Sequence, residues 1–362
     1  MLDCTPKFSY TQYMLTLSDA SYDTKEIMKW GGLIIAGLVV LIVIIRMLLI
    51  AKEAIFPTPP PKPTVLFGKL ESQIFPKNVT EQALTYSVNT LSGYLPALAG
   101  QAKVYTIQTF TPDLLSLSRA KQAAAGAGYT KEPSKISDTL FAWTSPGTTD
   151  VTTKLTMDIV NDNFNITSNY LSNTTYISTL QGFTDQNSAI NTAQGLLTNL
   201  NSLPADIDQT KTQANLFSLK NGSLTPVTKV SDAQAARVVF HQKDIDTLPI
   251  YYEDPNSSNI NVLVDANNKI LEADYVHQAA VADNFSTYPL KTTKQAFDEL
   301  QQGKGYIAFD DSTSKDIAIN NVFLAYYIGS QPQKYLMPII VFAKDNDFFA
   351  YVPAVTDEWI GK

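Results

Sequence analysis

His241 and His277 are the only imidazoles in a chain of 362 residues. Any metal centre or acid–base dyad must be built around one of them, or from carboxylates alone. In an alternating strand His277 falls on the face shared by Leu271, Ala273 and Tyr275, while Glu272 and Asp274 point to the other side. His241 alternates with Val239 and Arg237, again without a ligand-like neighbour two residues away. A zinc site or a Ser-His-Asp triad would therefore have to be assembled entirely from distant segments. Gly303-Lys304-Gly305 invites a phosphate-loop reading, but that loop needs G-x-x-x-x-G-K-[ST] between a strand and the start of a helix. Here the glycines follow a helical pattern and precede a strand pattern, so they read as a helix C-cap and turn. Carboxylates cluster at "VNDNFN", "KDIDTLP", "EDPNSSN", "FDDSTSKD" and "KDNDF", and none meets the calcium-loop pattern with its distant Glu. They read as solvated turns. The sequence thus offers no catalytic residue, metal-ligand set or cofactor site. A glycosidase-type pair of acids, whose separation is spatial, would leave no local trace.

Recognition chemistry is more legible. The aromatic stretches "LPIYYED" and "LAYYIG" make Tyr251, Tyr252, Tyr326 and Tyr327 candidates for a recognition surface, binding a peptide by strand addition or a glycan by stacking. Alternation puts the members of each pair on opposite faces, so one of each pair is expected in the core. Six N-x-[ST] sequons, at Asn78, Asn165, Asn173, Asn221, Asn256 and Asn284, matter only in a glycosylating host.

What holds these residues begins with an apolar run. Gly31 to Ala51 contains one charge, Arg46, and as a helix spans about 30 Å, one bilayer core. A secretory signal would have a shorter apolar stretch and a small-x-small cleavage site. Here a leader of 30 residues precedes the run and "FPTPPPKP" follows it. The reading is a permanent membrane anchor in residues 31–51, with Arg46 snorkelling at its far end. Residues 1–30 are expected as a short cytoplasmic tail, and 52–70 as a Pro-rich linker held near polyproline II by Pro57, Pro59, Pro60, Pro61 and Pro63. Basic residues flank the run evenly, so orientation rests on other features: Cys4, the only cysteine, lies before the run, and an Asn/Thr/Ser/Tyr-rich body lies after it. The expectation is a single-pass plasma-membrane protein with its C-terminal part outside. Gly32 and Ala36, four apart on one face, form a small-xxx-small pair that allows close helix pairing with a partner or a second copy. Residues 1–51 carry four basic and four acidic side chains, so the net charge of −7 belongs to the outer part and argues against nucleic-acid binding.

Beyond Thr64, helix patterns alternate with strand patterns three times. The helices are expected at Asp113–Gly126, Asn187–Leu200 and Lys291–Gly303. Three turns, in "TMDIVNDNFNITSNY", "NVLVDANNKILEADY" and "VFAKDNDFFAYVPAV", place Asp/Asn clusters between alternating runs, the chemistry of tight hairpins in which φ > 0 is tolerated. This gives an α+β body of three modules, at 71–180, 181–285 and 286–362, each a helix packed on an antiparallel sheet.

A helix followed by a hairpin with a "VDANNKIL" turn resembles the PepSY-type module of exported bacterial proteins. The run "AFDELQQGKGYIA … VFLAYYIGSQPQKYLMPIIVFAKDNDFFAYVPAV" is similar to the closing part of the YycH/YycI group. That resemblance implies one membrane helix, tandem PepSY-like units outside the membrane, and regulation of a membrane partner. The leading functional reading is a non-enzymatic, membrane-anchored extracytoplasmic protein that modulates or scaffolds a membrane or envelope partner. The alternative is a surface module binding envelope glycan or polymer. A hydrolase with an unrecognised acidic site is third.

Overall fold

The computed structural model describes residues 17–55, 61–79, 83–145, 151–220 and 222–361. The chain divides into two units, Met1–Lys62 and Pro63–Lys362.

The first unit is one helix, α1 (Leu17–Ile55). Its segment Met28–Leu48 is long and apolar enough to cross a membrane. Leu33, Ile34, Leu38, Val39 and Ile42 are all exposed, so no stripe of the helix is reserved for a protein core. The helix overruns the boundaries expected from the sequence at both ends, because no glycine or proline interrupts the backbone between Leu17 and Gly31 or between Gly37 and Ile55. Lys52–Ile55, expected as linker, is helical, while Pro57, Pro59 and Pro60 lie outside the described residues.

The second unit begins earlier than expected. Val65 donates to Thr287 O at 3.1 Å, and Leu70, fully buried, donates to Trp359 O at 2.8 Å. Residues 64–70 are therefore part of the folded body, tied into it by backbone bonds, and the stretch expected as linker is shorter. The strands are β1 (Thr85–Val88), β2 (Gln101–Ile107), β3 (Ser134–Lys135), β4 (Leu140–Thr144), β5 (Thr153–Asp158), β6 (Phe164–Ser168), β7 (Gln213–Lys220), β8 (Ser223–Pro226) and β9 (Ala235–Val239). They continue as β10 (Ile250–Tyr251), β11 (Ile260–Asp265), β12 (Ile270–Tyr275), β13 (Ala280–Pro289), β14 (Tyr306–Asp310), β15 (Asp316–Ile319), β16 (Asn321–Tyr327), β17 (Tyr335–Lys344) and β18 (Phe348–Pro353). The helices are α2 (Ser116–Gly126), α3 (Thr174–Thr179), α4 (Asn187–Asn199) and α5 (Thr293–Gln301).

All three expected hairpins form: β5–β6, β11–β12 and β17–β18. Each turn holds one non-glycine residue at positive φ, Asp162 (58°), Asn268 (62°) and Asp345 (48°), the residue types that tolerate it. The three expected helices form as well, and α5 opens on a full capping box between Thr292 and Gln295.

The strands gather into two large sheets rather than three. One has nine strands in the order β3-β4-β5-β6-β12-β11-β9-β7-β8. It joins the first two expected modules along the antiparallel β6–β12 pair, centred on Asn165↔Asp274. Those strands close two antiparallel runs, β4-β5-β6 and β9-β11-β12, which follow α2 and α4 in the chain. Helices α2 and α4 cover it through small residues at i, i+4 spacing, Ala120 and Ala124, Ala189 and Ala193, packed with Leu155, Met157, Val262 and Val264. The second sheet runs β10-β16-β17-β18-β14 and extends through β17 to β2 and β13; α5 packs on it with Ala296, Phe297 and Leu300 against Phe342 and Val352. Strand β2, expected in the first module, belongs to this sheet. Its Val104 packs in one core and Tyr105 and Ile107 in another, so both faces need cover. The body is thus mixed α+β and mostly sheet. A short parallel pair, β1–β15, forms separately.

Candidate binding cleft

A cleft of about 280 Å³ opens where the two sheets meet. Its walls are four short segments: the end of β2 with Gln108–Phe110, the β5–β6 turn with Val160, Asn161 and Asn163, the connector Val276–Gln278 between β12 and β13, and the loop after β16 with Ser330, Pro332 and Gln333.

Carboxamides hold these segments in place. Gln278, 6% exposed, donates Nε2 to Gly329 O at 2.9 Å and Gln331 O at 3.1 Å, and accepts from Gln333 N at 2.8 Å. Asn259 adds a bond to Gly329 O at 2.9 Å. One glutamine and one asparagine thus fix the backbone of the loop after β16, satisfying polar groups that have no strand partner. On the other wall, Asp158 Oδ1 accepts from Val160 N and Asn161 Oδ1 from Asn163 N, both at 2.9 Å, which shapes the turn. Asn163 Oδ1 then accepts from His277 N at 3.1 Å, joining the turn to the connector.

His277 carries the one titratable contact in the lining. Its Nε2 lies 2.9 Å from Asp206 Oδ1, and Gln242 Nε2 donates to Asp206 Oδ2 at 2.9 Å. Burial pushes the Asp206 carboxyl up, but the hydrogen bonds from His277 and Gln242 outweigh it and hold the pKa below the usual value. The pair unites a connector residue with a loop 71 positions away, the long-range assembly that the sequence required of any histidine site. Nothing local to His277 signals Asp206. Among the described residues, no group of three His, Cys, Asp or Glu side chains is placed to hold a metal ion. His241 lies elsewhere, edge-on to Tyr252 at 6.0 Å, with its Nδ1 buried and without a partner.

The tyrosines expected as a recognition surface are mostly core. Tyr326 and Tyr327 are both 0% exposed and Tyr252 is 3% exposed. Alternation does place Tyr326 and Tyr327 on opposite faces, but both faces of this sheet are covered. Tyr326 packs with Tyr105 and Leu336 and donates to Lys103 O at 3.0 Å, while Tyr327 packs with Phe75 and Tyr351. Tyr252 accepts from Gln242 N at 3.1 Å. Tyr251 alone is half-buried, against Phe323 and Phe349. Gly32 and Ala36 are exposed on α1, and nothing lies within 4 Å of a Cβ built at Gly32. The cleft residues Gln108, Phe110, Gln278 and Gln333 carry no sequence signal, since an isolated glutamine in a loop is ordinarily solvated.

Compared with models of protein families, the chain matches none, and no curated protein matches it.

Proposed function

We propose that this chain is a non-enzymatic, single-pass protein of a bacterial plasma membrane, whose extracytoplasmic body modulates or scaffolds a partner in the membrane or envelope. The observation that supports it most is the span-length helix Met28–Leu48, apolar on every side, in the same chain as a body of some 300 residues with its own cores. Such a helix is stable only where its surface is removed from water, as in a bilayer. The prolines from Pro57 to Pro63 act as a short spacer in this reading, and the helix-plus-hairpin units are taken as PepSY-like from the sequence resemblance to the YycH/YycI group. Gly32 and Ala36 are the residues through which the span would pair with a partner helix or a second copy.

Two measurements test the proposal. An impermeant thiol reagent applied to intact cells should leave Cys4 unlabelled until lysis and should label a cysteine introduced at Ser223. The reverse pattern would overturn the orientation. Crosslinking of the full-length chain in cells, followed by detergent extraction, should recover a discrete membrane or envelope protein, less of it when Gly32 and Ala36 are replaced by Ile. Recovery of the chain alone at every expression level would overturn the partner reading.

A further inference from the structure

The cleft at the junction of the two sheets has a lining that selects its ligand. None of the residues lining it is Asp, Glu, Lys or Arg. A charged ligand would shed its hydration there without meeting a free counter-charge, because the titratable group of the wall, His277, is already bonded through Nε2 to Asp206 Oδ1 at 2.9 Å. The Oδ1 atoms of Asn161 and Asn163 are taken by backbone amides at 2.9 and 3.1 Å. Each of these bonds anchors a carboxamide and leaves its Nδ2 donors for a ligand, and the exposed Gln108 lines the same cleft. Phe110 lines the same cleft with 46% of its surface exposed, and Val160 and Val276 supply aliphatic wall. A peptide that adds as a strand needs an unpaired main-chain edge. The end of β2 is occupied on both sides, Ile107 N by Lys334 O at 2.9 Å and Gln108 N by Ala279 O at 2.8 Å.

From this we infer that the cleft is a saccharide site, for a neutral sugar bearing an acetamido group. The acetamido carbonyl and ring hydroxyls accept from the asparagine Nδ2 groups, the C–H face of the pyranose lies on the Phe110 ring, and the acetamido methyl packs against the valines. The cleft volume suits one sugar residue, with its neighbours in an oligomer running out along the surface. The assignment stands apart from the membrane-partner reading, because it uses only groups in the cleft wall.

The test is calorimetric titration of the full-length chain in phosphatidylcholine nanodiscs, which carry no sugar detergent. The probes are tri-N-acetylchitotriose, cellotriose as the matched sugar without acetamido groups, and an uncharged Ala/Thr hexapeptide. Chitotriose should bind about tenfold or more tightly than cellotriose, the worth of one good hydrogen bond in a partly buried site. Asn161→Asp keeps the acceptor for Asn163 N and deletes the donor, and should weaken chitotriose about tenfold. Phe110→Ala, in an exposed segment, should weaken it about fivefold. Absence of binding up to millimolar chitotriose would overturn the inference. So would equal affinity for cellotriose, tighter binding of the hexapeptide, or variants that bind as the parent does.

Discussion

Gly182 sits where two stretches of backbone pass with no room between them. A Cβ built there would lie 1.7 Å from Ser231 O, 2.3 Å from its carbonyl carbon and 2.9 Å from its Cα. Ordinary contact begins near 3.4 Å, so in Gly182→Ala the two stretches must part by about 1.7 Å. They are not free to do so. Phe183 N donates to Ala233 O at 3.0 Å and Gln234 Nε2 to Leu180 O at 3.2 Å, on either side of the crossing. Phe183 and Ala233 are themselves buried in the core under the nine-stranded sheet. A separation that relieves the clash stretches both bonds past hydrogen-bonding distance, at about 1 kcal/mol each. Overpacking strain adds about 1–3 kcal/mol. The expected destabilisation is therefore about 3–5 kcal/mol. For a body of 300 residues, with about 2.1 cal/mol/K of unfolding entropy per residue, that lowers Tm by roughly 5–8 °C, read by differential scanning calorimetry of the full-length protein in detergent. Gly195→Ala is the control: Gly195 lies inside α4 with nothing within 4 Å of a built Cβ, so alanine should stabilise the helix by about 0.8 kcal/mol. A Gly182→Ala protein melting within 1 °C of the parent would refute the packing of this crossing, and so would two variants shifting in the same direction.

Three further outcomes are expected. Thr247→Gly should raise stability by about 1–2 kcal/mol in urea unfolding, because Thr247 is β-branched and held at φ 66° beside Asp246 at 51°, in the turn closed between Ile245 and Leu248; a loss of stability would show that the Thr247 side chain matters more than the strain. Ala296→Asp should cost several kcal/mol, since Ala296 is fully buried between α5 and the second sheet and the new carboxylate has no partner there; an unchanged melting temperature would remove that assignment. Burial holds the His241 imidazole below its ordinary pKa, so the native state stays neutral where the unfolded chain takes up a proton. Stability should thus fall as pH drops below about 6.5, toward the lower native value, and His241→Asn should flatten that part of the stability–pH curve; an identical slope in the variant would assign the titration elsewhere.

What the sequence determined by itself is local. The apolar run from Gly31 needs only length and composition to declare that it could cross a membrane. The hairpin turns need only an Asp or Asn able to sit at positive φ, which Asp162, Asn268 and Asp345 do. The helices need only small residues one turn apart, so Ala120 and Ala124 or Ala189 and Ala193 identify the buried stripe. Tertiary structure decided everything that depends on who the neighbour is. Strand β2 could have joined either sheet, and was placed by the cover available to both its faces. Strand β13, with exposed Val281–Phe285 interrupting its register against β2, lacks the alternation that would reveal a strand. Tyr326 and Tyr327 alternate as a half-exposed strand would, yet both are buried, because period-two spacing assigns faces and cannot say whether a second layer covers them. The cleft lies furthest from the sequence. Asp206 meets His277 only once the α4–β7 loop closes on the end of β12, and Gln278 holds Gly329 and Gln333 only after the two sheets dock. A carboxamide or carboxylate has no preference for a distant partner until folding removes the water that would otherwise satisfy it.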